Sequence, residues 1–332
     1  MQHLIYAIIV SFIICLVLGP VVIRALRVLK FVQTVRADGP ATHLKKTGTP
    51  TMGGVLIIVA IIISTFLFSS RNYNYVIIAL FVTIGFGFIG FLDDFIKIIK
   101  KRSLGLRAYQ KLLMQIAVAF VFAIYAYKDT YIGSKIIIPF VNKDFDLGIW
   151  YIPVIIFIMV GVTNSVNLTD GIDGLASGST LIFSASFSII YFYAMDLALK
   201  SGFTYQGVNL QNMMLFSGAV TGACLGFLRF NTFPAKVIMG DTGSLALGGA
   251  VSAMAIMYRL PLLLPIMGGV FMAETISVIM QVTSFKLTGK RIFKMAPLHH
   301  HFELTGMPET KIVSFFMIAT TILCLIGLLT LH

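Results

Sequence analysis

Polar positions are scarce along this chain, and they come in clumps. Between the clumps run long apolar stretches, at 5–26, 52–70, 75–92, 108–127, 149–163, 176–199, 213–228, 244–258, 260–283 and 312–331. About 17–25 such residues are what an α-helix needs to cross the hydrocarbon of a bilayer. The pattern predicts an all-α integral membrane protein, a polytopic bundle of ten transmembrane helices. The fifth and eighth runs are short, and no interval has room for a soluble domain. The expected organisation is one transmembrane domain over 1–332.

Composition agrees. Of 332 residues, 58% are hydrophobic and 11% charged, and the mean hydropathy is +0.94. A soluble chain of this length carries about a quarter charged residues. The N-terminus lacks the basic start of a cleavable signal, because Arg24, Arg27 and Lys30 follow the first apolar run instead. Basic residues gather on the cytoplasmic side of membrane proteins, which places the first loop inside and both termini outside. Alternation then leaves only Arg71, Lys128, Lys135, Lys143, Lys200 and Arg259 outside, with the other 19 of 25 Lys and Arg inside. The net charge of +12 therefore faces anionic lipid or an anionic substrate, and no nucleic acid is expected. Cys15, Cys224 and Cys324 lie within apolar runs and read as packing residues.

Acidic residues share the basic side. Asp93 and Asp94 are adjacent in DDFIK (93–97), where the third run ends. Neighbouring carboxylates repel and raise each other's pKa, so a cation is the expected partner. TNSVNLTDGIDGLA (163–176) has no Lys or Arg but carries Asn164, Asn167, Asp170 and Asp173 at intervals of three. With Gly171 and Gly174 it reads as a compact polar loop at the membrane's mouth. NTFPAKVIMGDTGS (231–244) repeats the pattern with Asn231 and Asp241, and Asp241 could also cap the eighth helix.

FKMAPLHHHFELTGMPETK (293–311) holds His299, His300 and His301. Consecutive histidines do not have zinc-ligand spacing, and hydrogen bonding to phosphate or sugar oxygens suits them better. Glu274, Ser277, Gln281 and Ser284 form a polar stripe on the ninth run, consistent with a cleft opening inward or with a helix–helix hydrogen bond. Gly85, Gly87 and Gly90 match GxGxxG inside a predicted membrane helix, where close helix packing explains them and a dinucleotide site does not. No P-loop motif is present. Clustered carboxylates with Lys46, Lys97 and Lys111 nearby in sequence fit Mg²⁺-assisted phosphoryl transfer at a membrane surface.

KTGTPTMGG (46–54), DDFIK (93–97), NLTDGIDGLA (167–176), MGDTGSLALGG (239–249) and MAPLHHHFE (295–303) closely resemble the phospho-N-acetylmuramoyl-pentapeptide-transferase family, in order and across essentially the whole chain. The resemblance implies ten helices with a cytoplasmic active-site cleft in the bacterial cytoplasmic membrane. It implies transfer of phospho-MurNAc-pentapeptide from UDP-MurNAc-pentapeptide to undecaprenyl phosphate, giving lipid I and UMP, with Mg²⁺. It also allows a homodimer. By motif, Asp93, Asp94 and Asp241 are implied as catalytic, with Asp241 a metal ligand. Asp93 is then the base on the lipid phosphate for direct attack, with a covalent phospho-aspartyl intermediate as the alternative route. Lys46, Thr51, Lys97, Lys111, Asn167, Asp170, Gly171, Asp173, Asn231, Gln281, Ala296, His299 and His300 are implied as substrate contacts. Where the family resemblance leads one to expect a Phe stacking on uracil, this chain has Ile238, which keeps apolar packing without a π-face. The rivals are a sister enzyme that transfers GlcNAc-1-phosphate and, from another class, an ion-coupled transporter using Glu274 and the loop aspartates.

Overall fold

A computed structural model describes residues 1–32, 48–70, 74–100, 102, 104–141 and 143–331. Each predicted apolar run contains a helix. These are α1 (Gln2–Val28), α2 (Gly54–Phe68), α3 (Asn74–Ile99), α4 (Ala108–Lys128), α5 (Tyr151–Thr169), α6 (Leu175–Lys200), α7 (Thr204–Asn231), α8 (Gly240–Met257), α9 (Leu264–Met267) with α10 (Gly269–Thr288), and α12 (Glu309–Leu328). A short α11 (Leu298–Leu304) sits in the last predicted inner loop. Eight helices among the described residues are long and apolar enough to cross a membrane. The protein is an all-α polytopic membrane protein.

Two kinds of helix are visible in the burial pattern. α1 buries Leu4, Ala7, Ser11, Cys15 and Gly19 on one side and exposes Ile5, Ile9, Ile13, Val17 and Val21 on another. Both stripes are mainly apolar, as expected where one meets protein and the other lipid. α8 differs, since every residue from Thr242 to Met257 is buried. Its sequence is rich in Gly, Ala and Ser, and small side chains let neighbouring backbones come close. α3 and α5 flank it, while α1 and α6 pack on α7. Gly90 of α3 lies so near the Asp241 carbonyl that a Cβ there would overlap it. That contact accounts for part of the GxGxxG pattern and brings the end of α3 to the start of α8.

Three sequence expectations change. The polar stretch 163–176 is not all loop, because α5 continues to Thr169 and carries Asn164 and Asn167 on its last turns. Their side chains are held by helix neighbours, as where Asn164 donates to the Val160 carbonyl at 2.8 Å. The ninth run is not one helix. A 3₁₀ turn at Pro261–Leu263, the four-residue α9 and Gly268 interrupt it before α10 begins. Pro261 and Pro265 cannot donate backbone hydrogen bonds, so a straight helix fails there. The His run is helical, and successive helical positions point about 100° apart.

The strands β1 (Lys135–Ile138) and β2 (Lys143–Asp146) pair as an antiparallel hairpin between α4 and α5, with Lys135 opposite Asp146. Arg259, just after α8, grips this hairpin. Its side chain lies 2.6 Å from Asp144, and its carbonyl accepts the Ile137 N–H at 2.7 Å.

Candidate active site

The last turns of α3 carry Asp93, Asp94 and Lys97, with both aspartates buried. α8 starts alongside them. Asp94 Oδ2 accepts the Thr242 N–H at 2.9 Å and its hydroxyl at 2.8 Å, while Oδ1 accepts the Asp241 N–H at 3.2 Å. Free N–H groups at a helix start favour a carboxylate. Asp94 therefore caps α8, and Asp241, in the first turn, makes no cap bond of its own. The expected cap and the actual cap are different residues.

With its N–H tied down, Asp241 turns its carboxylate toward two lysines. Lys111 Nζ is 2.8 Å from Asp241 Oδ2, and Lys97 Nζ is 3.1 Å from the same oxygen. Asn167 donates to Asp241 Oδ1 at 2.9 Å and to the Ser244 hydroxyl at 2.8 Å. Burial works against the Asp241 charge, but Lys111 and then Lys97 outweigh it and hold the carboxyl well below the usual carboxylate range. Asp93 completes the group. Its Oδ2 is 2.6 Å from Lys97 Nζ, and its Oδ1 accepts the Leu106 N–H at 2.8 Å. Gly105 comes so close to that carboxylate that a Cβ would strike it.

One oxygen from each of Asp93, Asp94 and Asp241 lies within 4.8 Å of the others. Lys97 Nζ is within 3.6 Å of all three side chains, so they converge on one cation-sized point. Three carboxylates and two ammonium groups leave a formal deficit of one positive charge. All-oxygen donors of this kind suit a hard divalent cation. The residues fit a metal, and Lys97, 30% exposed at the side chain, occupies the point where the three carboxylates converge.

Thr51 is buried beside this cluster, since a Cβ on Gly240 would meet both its Oγ1 and Asp94 Oδ2. Lys46 lies outside the described residues. Asp170 and Gly171 open the 170–174 turn between α5 and α6. Asp173 is buried there, with Oδ2 accepting the Ala235 N–H at 2.9 Å and its own N–H donated to Glu309 at 2.7 Å. Asn231 accepts the Gly174 N–H at 3.1 Å and donates to the Val237 carbonyl at 3.0 Å. Asp173 and Asn231 thus brace the turn against the 232–239 loop.

Gln281 accepts the Ile292 and Phe293 N–H groups at 3.0 and 2.9 Å and donates to the Phe293 carbonyl at 2.9 Å. It holds the segment leading to the half-buried Ala296 and α11. Ser284 donates to the Lys290 carbonyl at 3.0 Å, so the lower part of the expected stripe fastens a loop. The histidines take different partners, although the His299 and His300 rings still meet edge-on with centroids 4.1 Å apart. His299 points to Glu274, His300 Nδ1 lies 2.7 Å from Glu303, and His301 stacks edge-on to Phe293.

Sequence reasoning missed Leu106, Gly105 and Glu309, and it placed Thr242 in a helix cap without its bonds to Asp94. Thr242 and Leu106 act through backbone N–H groups, which leave no residue-type signal. Gly105 acts by lacking a side chain. Glu309 sits far along the chain, next to an apolar run.

An acidic and basic cluster at the end of a bundle of apolar helices is the arrangement expected of a membrane enzyme acting on charged groups beside lipid. Residues 76–259 match the glycosyl transferase family 4 profile, and residues 46–58 match phospho-N-acetylmuramoyl-pentapeptide-transferase signature 1. The chain is 49% identical over 331 residues to the phospho-N-acetylmuramoyl-pentapeptide-transferase of Clostridium kluyveri, covering 100% of each protein. It is 50% identical to the protein of that name from Clostridium novyi (strain NT), covering 100% of this chain and 98% of the relative. The Clostridium perfringens (strain 13 / Type A) protein of that name is 49% identical, over 99% of this chain and 98% of its own length. The chain belongs to the phospho-N-acetylmuramoyl-pentapeptide-transferase family.

Proposed function

We propose that the chain transfers phospho-MurNAc-pentapeptide from UDP-MurNAc-pentapeptide to undecaprenyl phosphate, forming lipid I and UMP in peptidoglycan synthesis. One observation carries the reading: Asp93, Asp94 and Asp241 converge on the Lys97 ammonium where α3 ends and α8 begins. In this reading the chain is one transmembrane transferase domain of ten spans in the bacterial cytoplasmic membrane, with termini outside and the carboxylates on the cytoplasmic face. Family relatives carrying that name, identical at half their positions, support the choice of donor.

Asp241, with Asp93 and Asp94 beside it, would hold Mg²⁺, which when bound supplies positive charge against the phosphate oxygens. Lys97 and Lys111 turn from Asp241 to the diphosphate. Asp93 takes the proton of the acceptor phosphate. An acceptor oxygen forms the new bond to the phosphorus of the muramyl phosphate, and the bond from that phosphorus to UMP breaks. A covalent route through an aspartyl phosphate is the alternative, and trapping that intermediate would distinguish it. The 170–174 turn takes the nucleoside, with Ile238 offering an apolar surface to uracil, and His299 and His300 reach the sugar side. The polyprenyl chain finds a counterpart in an apolar cavity of ≈ 340 Å³ lined by residues including Phe157, Ile158, Leu262, Pro265 and Ile279. That lining surrounds the broken ninth run, so the break suits lipid better than the ion path a transporter would need.

The test is release of UMP. The purified full chain with undecaprenyl phosphate, UDP-MurNAc-pentapeptide and Mg²⁺ should form UMP and a lipid-linked muramyl diphosphate. UDP-GlcNAc should react poorly, and a preference for it would transfer the assignment to the sister enzyme.

A further inference from the structure

Glu274 in α10 and His299 in α11 are both fully buried. Glu274 Oε2 lies 3.2 Å from His299 Nδ1, without the alignment of a hydrogen bond, and accepts the His299 backbone N–H at 3.4 Å. Among the described residues, Glu274 Oε1 and His299 Nε2 have no hydrogen-bond partner. A carboxyl group buried with one long backbone N–H bond is poorly compensated, and an apolar side chain would pack the same space without that penalty. Packing alone does not explain Glu274.

The far edge of the imidazole gives the second observation. A Cβ on Gly171 would collide with His299 Nε2, so the buried ring rests directly on the Gly171 backbone, and only a glycine lets it come that close. The contact joins α10, through α11, to the 170–174 turn that Asp173 and Asn231 brace.

We infer that Glu274 is a positioning residue for the transfer reaction, acting through His299 to hold the imidazole against Gly171 and so fix the 170–174 turn that takes the donor in the reading above. The inference rests on the donor assignment proposed above. Nothing in the family resemblance assigns Glu274, and the polar stripe on α10 leaves its role open between a cleft and a helix contact.

A double-variant cycle on the full chain in detergent tests it. Glu274→Gln keeps size and removes charge. It should lower kcat/KM for UDP-MurNAc-pentapeptide about tenfold, and His299→Ala should lower it at least as much. If Glu274 acts through His299, the double variant should fall no further than His299→Ala, within about twofold. Melting temperatures are read alongside, since a purely structural role would lower stability and add its loss independently. Wild-type turnover by Glu274→Gln, or losses that multiply to about a hundredfold, would overturn the inference. Should Glu274→Gln fail to fold, Gly171→Ala pushes the same ring from the other side. It is expected to cost about tenfold, and full activity would equally refute the contact. If the wild type itself releases no UMP, the donor assignment fails instead. The same cycle read as affinity for a UDP-sugar then still judges the dyad.

Discussion

Two buried carboxylate sites stand in contrast within this protein. At the junction of α3 and α8, three carboxylates are met by two lysines, an asparagine and several N–H groups. At the junction of α10 and α11, one carboxylate meets one imidazole, and each keeps an atom without a partner among the described residues. The first is compensated by the ammonium groups of Lys97 and Lys111. The second has no spare charge to exchange, and its worth lies in how it orients a ring. In the proposed reading, charge compensation goes with the chemical centre and an uncompensated pair with an arrangement held for geometry.

The largest expected effect breaks the first site. Asp241→Asn should lower turnover about 10²–10³-fold, the size of losing one preorganised electrostatic partner, while the melting temperature changes little. Asp94→Ala should instead lower the melting temperature as well, because it removes the cap of α8, worth about 1 kcal/mol. Thermal melts and UMP release on both variants separate the two aspartates, and equal melting behaviour would undo the distinction.

Next in size is the second site. His299→Ala should reduce kcat/KM for the muramyl donor at least tenfold, about 1.4 kcal/mol. Loss of activity as deep as that of Asp241→Asn would place His299 in the chemical centre and erase the contrast.

A smaller effect sharpens the cation argument. Lys97→Gln removes the ammonium that competes for all three carboxylates. It should tighten apparent Mg²⁺ binding several-fold in activation curves while lowering kcat. Weaker Mg²⁺ activation would show that Lys97 supports the metal rather than standing in its place.

The gentlest perturbation asks whether both sites face the same side. Cys15, Cys224 and Cys324 are buried, so single cysteines at exposed Lys236, Lys290 and Lys143 report with little background. Impermeant thiol reagents should reach the Lys236 and Lys290 positions from the cytoplasm and the Lys143 position from outside. Labelling of all three from one side would overturn the alternation read from the basic residues.

Much of this is legible in the amino-acid sequence. Apolar runs long enough to span a bilayer are a local property, because backbone groups in lipid must be satisfied within each helix. The adjacent aspartates ask for a cation, and the structure supplies one in Lys97. The least legible parts depend on distant segments. Asp241 reads as a helix cap because its sequence, Asp-Thr-Gly-Ser, has cap chemistry, but Asp94, from 147 positions away, takes that role. The polar stretch after 163 reads as loop because Asn and Asp favour turns in isolation. Packing of α5 against α8 and bonds from Asn167 to Asp241 and Ser244 extend the helix instead. The ninth run carries its own warning in Pro261 and Pro265, which hydropathy alone does not weigh.

What this chain's sequence determined by itself is the membrane character, the helical runs, the polar motifs and the family resemblance, all of them written in residue type and spacing. Only the tertiary structure decided how those motifs divide their roles. It made Asp94 a brace, turned Asp241 toward Lys111 and Lys97, and spent Gln281 and Ser284 on a loop. It also set His299 between Glu274 and Gly171. The physical reason is that a carboxylate or imidazole has the same bonding capacity wherever it occurs, and its role is set by the partners that reach it first. In this fold those partners come from helices far apart in the chain, through close approaches that small residues on α3 and α8 allow.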